Sequence, residues 1–134
     1  MKYEPMTKQR IEQYTNIQRE IVMLEEQVYR AQVYGDEYVT DVVQNSQRTL
    51  VIKGYGSSEI PRLCMRKAKL EAECRDIERF IEKVNDSIMR QILARRYIEG
   101  KTIEETAELV GCSDSTTKRW LKYFFEKLTP NDPF

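Results

Sequence analysis

A chain of 134 residues is of single-domain size, long enough to bury a core and short for two independent globular units. With 33% of residues charged, 40% apolar, and eight Tyr, four Phe and one Trp, it is neither collagen-like nor broadly disordered. The 22 cationic side chains are balanced by 22 anionic ones, so there is no global basic field, and any nucleic-acid contact has to come from a local cationic face.

No apolar run is long enough to span a bilayer, and the start MKYEPMTKQR lacks the hydrophobic stretch of a signal peptide, so a soluble cytoplasmic protein without a membrane partner is expected. Cys64, Cys74 and Cys112 are odd in number and lack close CxxC spacing, which fits reduced thiols acting as small apolar packers. With no His in the chain, the commonest general base and every Ser-His or Cys-His nucleophile pair are missing. A closed structural zinc site, which needs four ligands, is disfavoured for the same reason. No glycine-rich phosphate loop is present either. The reading is therefore a non-enzyme with no catalytic residues, no metal and no cofactor.

From Thr7 to about Tyr34, apolar residues recur at Ile11, Tyr14, Ile17, Ile21, Leu24, Val28 and Ala31, in steps of three and four that keep one stripe on a long helix. Thr7 is the expected N-cap, and Gly35-Asp36 the expected stop. A second stripe, Leu63, Leu70, Cys74, Ile77, Ile81, Val84 and Ile88, has heptad spacing with Lys67 in one vacant slot. The two stripes predict an antiparallel helical hairpin, for which an ordinary pair of core helices and a true coiled coil both fit. Between them, residues 35–59 hold turn residues such as Asn45, Gly54, Gly56, Ser57 and Ser58, which predict an irregular loop. Thr49 to Ile52 can pair with Tyr38 to Val43 as a short β-hairpin, and a partly ordered loop fits equally well. Pro61 in a first turn, after Ser57 and Ser58 as caps, restarts the helix.

Asn85-Asp86-Ser87 caps or kinks the chain, and Ile88, Ile92, Leu93, Arg96 and Tyr97 then continue a helix to near Gly100. Thr102 with Glu105 forms a capping-box pair, opening a helix of about two turns described by Ile103, Thr106, Ala107, Leu109 and Val110. Gly111 supplies the positive φ that a tight turn between two helices needs, and Ala107 before it is small where helices cross closely. Cys112 reads as a small apolar plug beneath the turn. Ser113 caps the next helix, with Asp114 in its first turn. Thr117, Trp120, Leu121, Phe124 and Leu128 form its inward stripe. Ser115, Thr116, Lys118, Arg119 and Lys122 are left outward as a short, polar, cationic face of the kind that enters a major groove. The order of these features favours a helix-turn-helix over a plain three-helix bundle.

The stretch RRYIEGKTIEETAELVGCSDSTTKRWLKYFFEKL resembles region 4 of the σ70-type transcription factors and, more closely, the carboxy-terminal part of phage-encoded regulators of the ArpU and RinA kind. Upstream, VVQNS and TLVIKGYG between two long helices are similar to the same phage regulators. The resemblance implies activation of phage or prophage operons, usually late genes, in a bacterial host cell, by binding double-stranded promoter DNA, with RNA polymerase as a further partner. It places Ser113, Ser115, Thr116, Lys118, Arg119 and Lys122 toward DNA, Ser113 and Thr116 on phosphates and Arg119 on a base edge. Asp114, Ser115 and Thr116 stand where σ region 4 carries longer charged side chains, and the chain lacks the other parts of a σ factor.

The whole reads as an all-α protein: a long antiparallel, coiled-coil-like hairpin over residues 1–84, a helix-turn-helix module over 85–128 with its recognition helix at about 114–128, and a flexible tail over 129–134. Lys101, Arg95 and Arg96 are expected to help neutralise phosphates, and a homo-oligomer, a dimer first, to carry the module. A phage terminase small subunit and a helical adaptor that binds no DNA are the alternative readings.

Overall fold

The computed structural model describes residues 5–44 and 59–128, and among these there is no strand. Six helices follow in order: α1 (Lys8–Glu12), α2 (Tyr14–Gln44), α3 (Glu59–Glu82), α4 (Ser87–Leu93), α5 (Ile103–Val110) and α6 (Asp114–Leu128), with a π-helical turn at Ala94–Ile98. No helix of the described residues is long and apolar enough to cross a membrane. The described residues also contain no group of three or more Cys, Asp or Glu side chains placed to hold a metal ion. The chain divides into two compact units, Gln18–Glu73 and Met1–Ile17 with Cys74–Phe134.

The Gln18–Glu73 unit is the antiparallel hairpin of α2 and α3. Ile21, Leu24 and Ala31 are buried on α2 and Leu63 on α3, each large side chain contributing roughly 1.5–3 kcal/mol by leaving water. Lys67, the polar residue in the seam, lies 3.4 Å from both Glu71 and Glu25. The Glu71 carboxylate, with Glu25 adding to it, raises the Lys67 pKa against the opposing effect of desolvation, so the seam carries a firmly protonated cation. Arg66 reaches Glu20 at 3.0 Å.

Two expectations fail here. Gly35-Asp36 does not stop α2, which runs on to Gln44. One helical glycine costs only about 1 kcal/mol relative to Ala, and no proline follows to enforce the stop. Tyr38–Val43 therefore lie in a helix and not in a strand of the proposed β-hairpin. Thr49–Ile52, the caps Ser57 and Ser58, and the tail at 129–134 fall outside the described residues. Cys64 is a third correction, because it is exposed where Cys74 is buried, and only the latter packs in the core.

In the other unit Thr7 caps α1, its hydroxyl accepting from the Arg10 N–H at 3.2 Å. The single long helix expected from Thr7 is interrupted at Gln13, whose N–H is shared between the Gln9 and Arg10 carbonyls. Ile11, Tyr14, Cys74, Ile77 and Ile81 make the buried layer, and the Tyr14 hydroxyl donates to the Glu78 carboxylate. Asp86 then caps α4 by accepting from the Met89 N–H at 2.9 Å. This break shifts the helical register by one residue, so that Met89 turns inward at 7% exposure while Ile88, expected in the stripe, is left 39% exposed. Ile92 and Leu93 are fully buried. The helix ends in the π turn, where the Glu99 N–H reaches back five residues to the Ala94 carbonyl at 2.9 Å.

The capping box of α5 is complete: Glu105 N–H donates to the Thr102 hydroxyl at 3.1 Å, and Thr102 N–H donates to the Glu105 carboxylate at 2.9 Å. Thr106 and Ala107 face the core, and Leu109 is 49% exposed. On α6 the buried residues are Thr117, Leu121 and Phe125. Phe124, which the stripe placed in the core, is half-buried against Phe80 and Phe125 at ring-centroid distances of 6.3 and 5.4 Å, and Trp120 and Leu128 are half-buried too.

Two pairs of substitutions test this packing by chemical denaturation. Met89→Ala should cost about 2–4 kcal/mol, and Ile88→Ala less than about 1 kcal/mol; the reverse ranking would place Ile88 in the core. Thr106 has a fully buried hydroxyl without a hydrogen-bond partner among the described residues, whereas the buried Thr117 hydroxyl donates to the Ser113 carbonyl at 2.9 Å. Thr106→Val should accordingly stabilise, and Thr117→Val should destabilise, each by about 1 kcal/mol.

Candidate nucleic-acid interface

The turn between α5 and α6 depends on one residue. Gly111 sits at φ +81° and ψ +31°, the left-handed region, and its N–H and that of Cys112 both reach the Ala107 carbonyl at 2.9 Å. This is a Schellman-type close, which satisfies the last carbonyls of α5 while reversing the chain. A Cβ at Gly111 would meet nothing within 4 Å, so the demand for glycine is conformational and not one of space. Ala107, 1% exposed, lies under the turn, and Cys112 is half-buried beside it. Ser113 then caps α6: its hydroxyl accepts from the Thr116 N–H at 3.1 Å and donates to the Thr116 hydroxyl at 2.9 Å. Asp114 follows in the first turn, where a carboxylate suits the positive end of the helix.

With Thr117, Leu121 and Phe125 inward, the opposite side of α6 presents Ser115, Lys118, Arg119 and Lys122, all exposed, with Thr116 half-buried at its edge. None of Lys118, Arg119 and Lys122 is paired with a carboxylate among the described residues. Arg119 lies near the middle of this face, one turn after Ser115 and one before Tyr123. Sequence reasoning missed Tyr123, which is 54% exposed. Its spacing of four from Arg119 was the available signal.

Lys118 and Lys122 also line an open hollow of about 550 Å³ together with Lys8, Glu12, Tyr97 and Phe125. The Lys8 ammonium stands 5.4 Å from the centroid of the Phe125 ring and 4.0 Å from Glu12. A third cation from the far end of the sequence thus joins two from α6. Just after α1, the Thr15 hydroxyl in the first turn of α2 donates to the Tyr97 carbonyl at 3.3 Å. Burial raises the pKa of the Tyr97 hydroxyl, with Arg96 opposing and Glu12 adding to the rise, so it stays a neutral group in the wall of the hollow.

The remaining candidates lie on the connection from α4 to α5, where Arg95 and Arg96 are engaged within the chain. Arg95 pairs with Glu99 at 3.1 Å. Arg96 donates to the Lys101 carbonyl at 3.0 Å and lies 5.6 Å from the Tyr97 ring centroid, with its Nε buried and unpartnered. Lys101 is half-buried. Ser113, Ser115 and Thr116 are brought together at the start of α6, where the Ser113 and Thr116 hydroxyls already serve one another and Ser115 Oγ is 3.4 Å from Ser113 Oγ.

No curated protein and no solved structure matches the chain. Residues 85–130 match the family model of the homeodomain-like domain, a similarity consistent with the helix-turn-helix geometry of the carboxy-terminal part of the chain.

Proposed function

We propose that this protein is a sequence-specific, DNA-binding transcription regulator that places α6 in the major groove of double-stranded DNA. The observation that carries the reading is the unpaired trio Lys118, Arg119 and Lys122 on the exposed side of the second helix of the helix-turn-helix. Arg119, near the centre of that face, reads a base edge, since a guanidinium engages guanine through two hydrogen bonds. Lys118, Lys122 and Lys8 contact phosphates, which fix register and supply affinity without sequence information. Arg95 joins them by exchanging its exposed pair with Glu99 for a phosphate, a change that costs little because surface ion pairs are worth about 0–1 kcal/mol. Ser113 and Thr116 serve first as the cap that positions the helix.

One such module touches few bases, so the regulator works as a dimer or higher oligomer on repeated half-sites. The resemblance to ArpU- and RinA-type proteins makes the target a promoter of phage or prophage late genes, the sign of regulation activation, and RNA polymerase the further partner. No step of this role calls for catalysis or a cofactor.

Selection of bound sequences from a random DNA pool by the full-length protein, followed by footprinting and binding titrations at several salt concentrations, tests the proposal. A discrete promoter footprint is expected. Arg119→Ala should weaken the selected site by about 1–3 kcal/mol and relax preference at one base position. Lys122→Ala should weaken all sequences alike and lower the salt slope by about 0.9. Unchanged binding by a Lys118→Ala/Arg119→Ala double variant would sink the reading, and capture of a packaging site by a large ring would replace it with the terminase alternative.

A further inference from the structure

On α2 a second stripe lies nearly opposite the one buried in the hairpin. Val22, Glu26, Tyr29 and Val33 follow at steps of four, three and four, the heptad spacing of a helix-packing seam, and on a 3.6-residue helix they share one face. Their exposure is the anomaly: Val22 is 52%, Tyr29 61% and Val33 42% exposed, on a helix whose other side is already packed. Val22, Glu26, Tyr29 and Arg30 line an open hollow of about 460 Å³ on this face. Scattered exposed apolar residues are ordinary, but three in register along one helix form a seam that nothing among the described residues covers.

We infer that this seam is covered by the α2 helix of a second copy of the chain, in antiparallel orientation about a two-fold axis. The charge pattern selects that occupant and that orientation. An axis through the middle of the stripe sets Val22 against Val33 of the second copy, and Glu26 against Tyr29 and Arg30 of the second copy, twice over by symmetry. The phenol and the guanidinium both donate to the carboxylate, and the apolar ends meet each other. A parallel pair would set each residue against its own twin, bringing Glu26 onto Glu26 in the middle of the seam and Arg30 onto Arg30 at its edge. Like charges in direct opposition are repulsive, so the pattern is self-complementary in one direction only. Among the described residues Glu26 and Arg30 form no ion pair, which leaves both for this contact.

The stripe covers roughly 17 Å of helix, so the interface falls at or below the roughly 1,200–2,000 Å² of a stable complex, and a micromolar dimer is what it supports. The seam supplies the second copy that the regulator reading calls for, yet it is measured without DNA and stands or falls separately from DNA binding.

Sedimentation velocity of the full-length protein across the micromolar range, without DNA, is the test. Wild type should pass from monomer to dimer, and Val22→Glu and Val33→Glu should each weaken the dimer at least about tenfold while leaving the helical circular dichroism unchanged, because both sites are exposed. Glu26→Arg and Arg30→Glu should each weaken self-association, since each sets like charges in opposition across the antiparallel seam. An equimolar mixture of those two variants, or the double variant, should restore the dimer. A wild type that stays monomeric throughout, or a Val22→Glu variant that dimerises as wild type does, overturns the seam. Charge variants that each dimerise as well as wild type overturn the antiparallel pairing.

Discussion

The left-handed residue between α5 and α6 is the constraint on which the rest of the module depends. Gly111 closes α5 by directing two successive N–H groups onto the Ala107 carbonyl, and this fixes where α6 starts and the angle at which it leaves. Every later contact inherits that angle: the Ser113 cap, the burial of Thr117, Leu121 and Phe125, and the exposure of the cationic side. A non-glycine residue held there would strain the backbone by roughly 1–2 kcal/mol. That strain would fall on the junction itself, since the space around the position is open. At Gly100, φ is also positive, so both ends of the α5 segment are set by glycine geometry, with the Thr102–Glu105 box holding its start.

The module is not confined to the matched segment. Residues up to Ile17 belong to the same compact unit as the carboxy-terminal helices. Ile11 and Tyr14 are buried in it, Thr15 is bonded to the Tyr97 carbonyl, and Lys8 lies over the Phe125 ring. A three-helix module of 85–130 alone would lack this layer. α1 and the start of α2 together complete the core around Ile77 and Ile81, and α1 brings a cation, Lys8, to the flank of α6. The exposed outer stripe of α2, Val22, Tyr29 and Val33, belongs to the other unit.

Features governed by local chemistry were legible in the sequence. Thr7, Asp86, Thr102 with Glu105, and Gly111 announce themselves because a cap or a positive φ is decided within a few residues. Periodicity was weaker wherever a cap interrupts a helix. Extending the α3 stripe across Asp86 assigned Ile88 to the core, but the new cap resets the phase and Met89 takes the place. On α6, adjacent Phe124 and Phe125 both fit an inward stripe of broad width. Tertiary packing, with Tyr97 meeting Phe125 at a ring-centroid distance of 5.8 Å, decided between them. The end of α2 was misread because Gly-Asp is a stop signal of modest strength, and helix propensity on either side outweighed it. Lys8 was invisible for a different reason, since nothing within seven residues of it indicates that it comes to lie beside Lys118 and Lys122.

The distribution of charge joins these threads. The protein carries no net charge, so no long-range field draws it to a polyanion, and screening at physiological salt confines attraction to within about 8 Å of each group. Under that condition the disposition of individual cations matters more than their number. Arg62, Arg66, Lys67 and Arg95 each lie against a carboxylate, and Arg96 is turned onto a backbone carbonyl. Lys118, Arg119 and Lys122 are without a carboxylate partner among the described residues and are clustered on one exposed face of α6. A cation already paired within the chain must lose its partner before it meets a phosphate, whereas a solvated one releases counterions from the polyanion directly. The cluster on α6 thus stands apart from the paired cations in that a phosphate would displace no carboxylate from it.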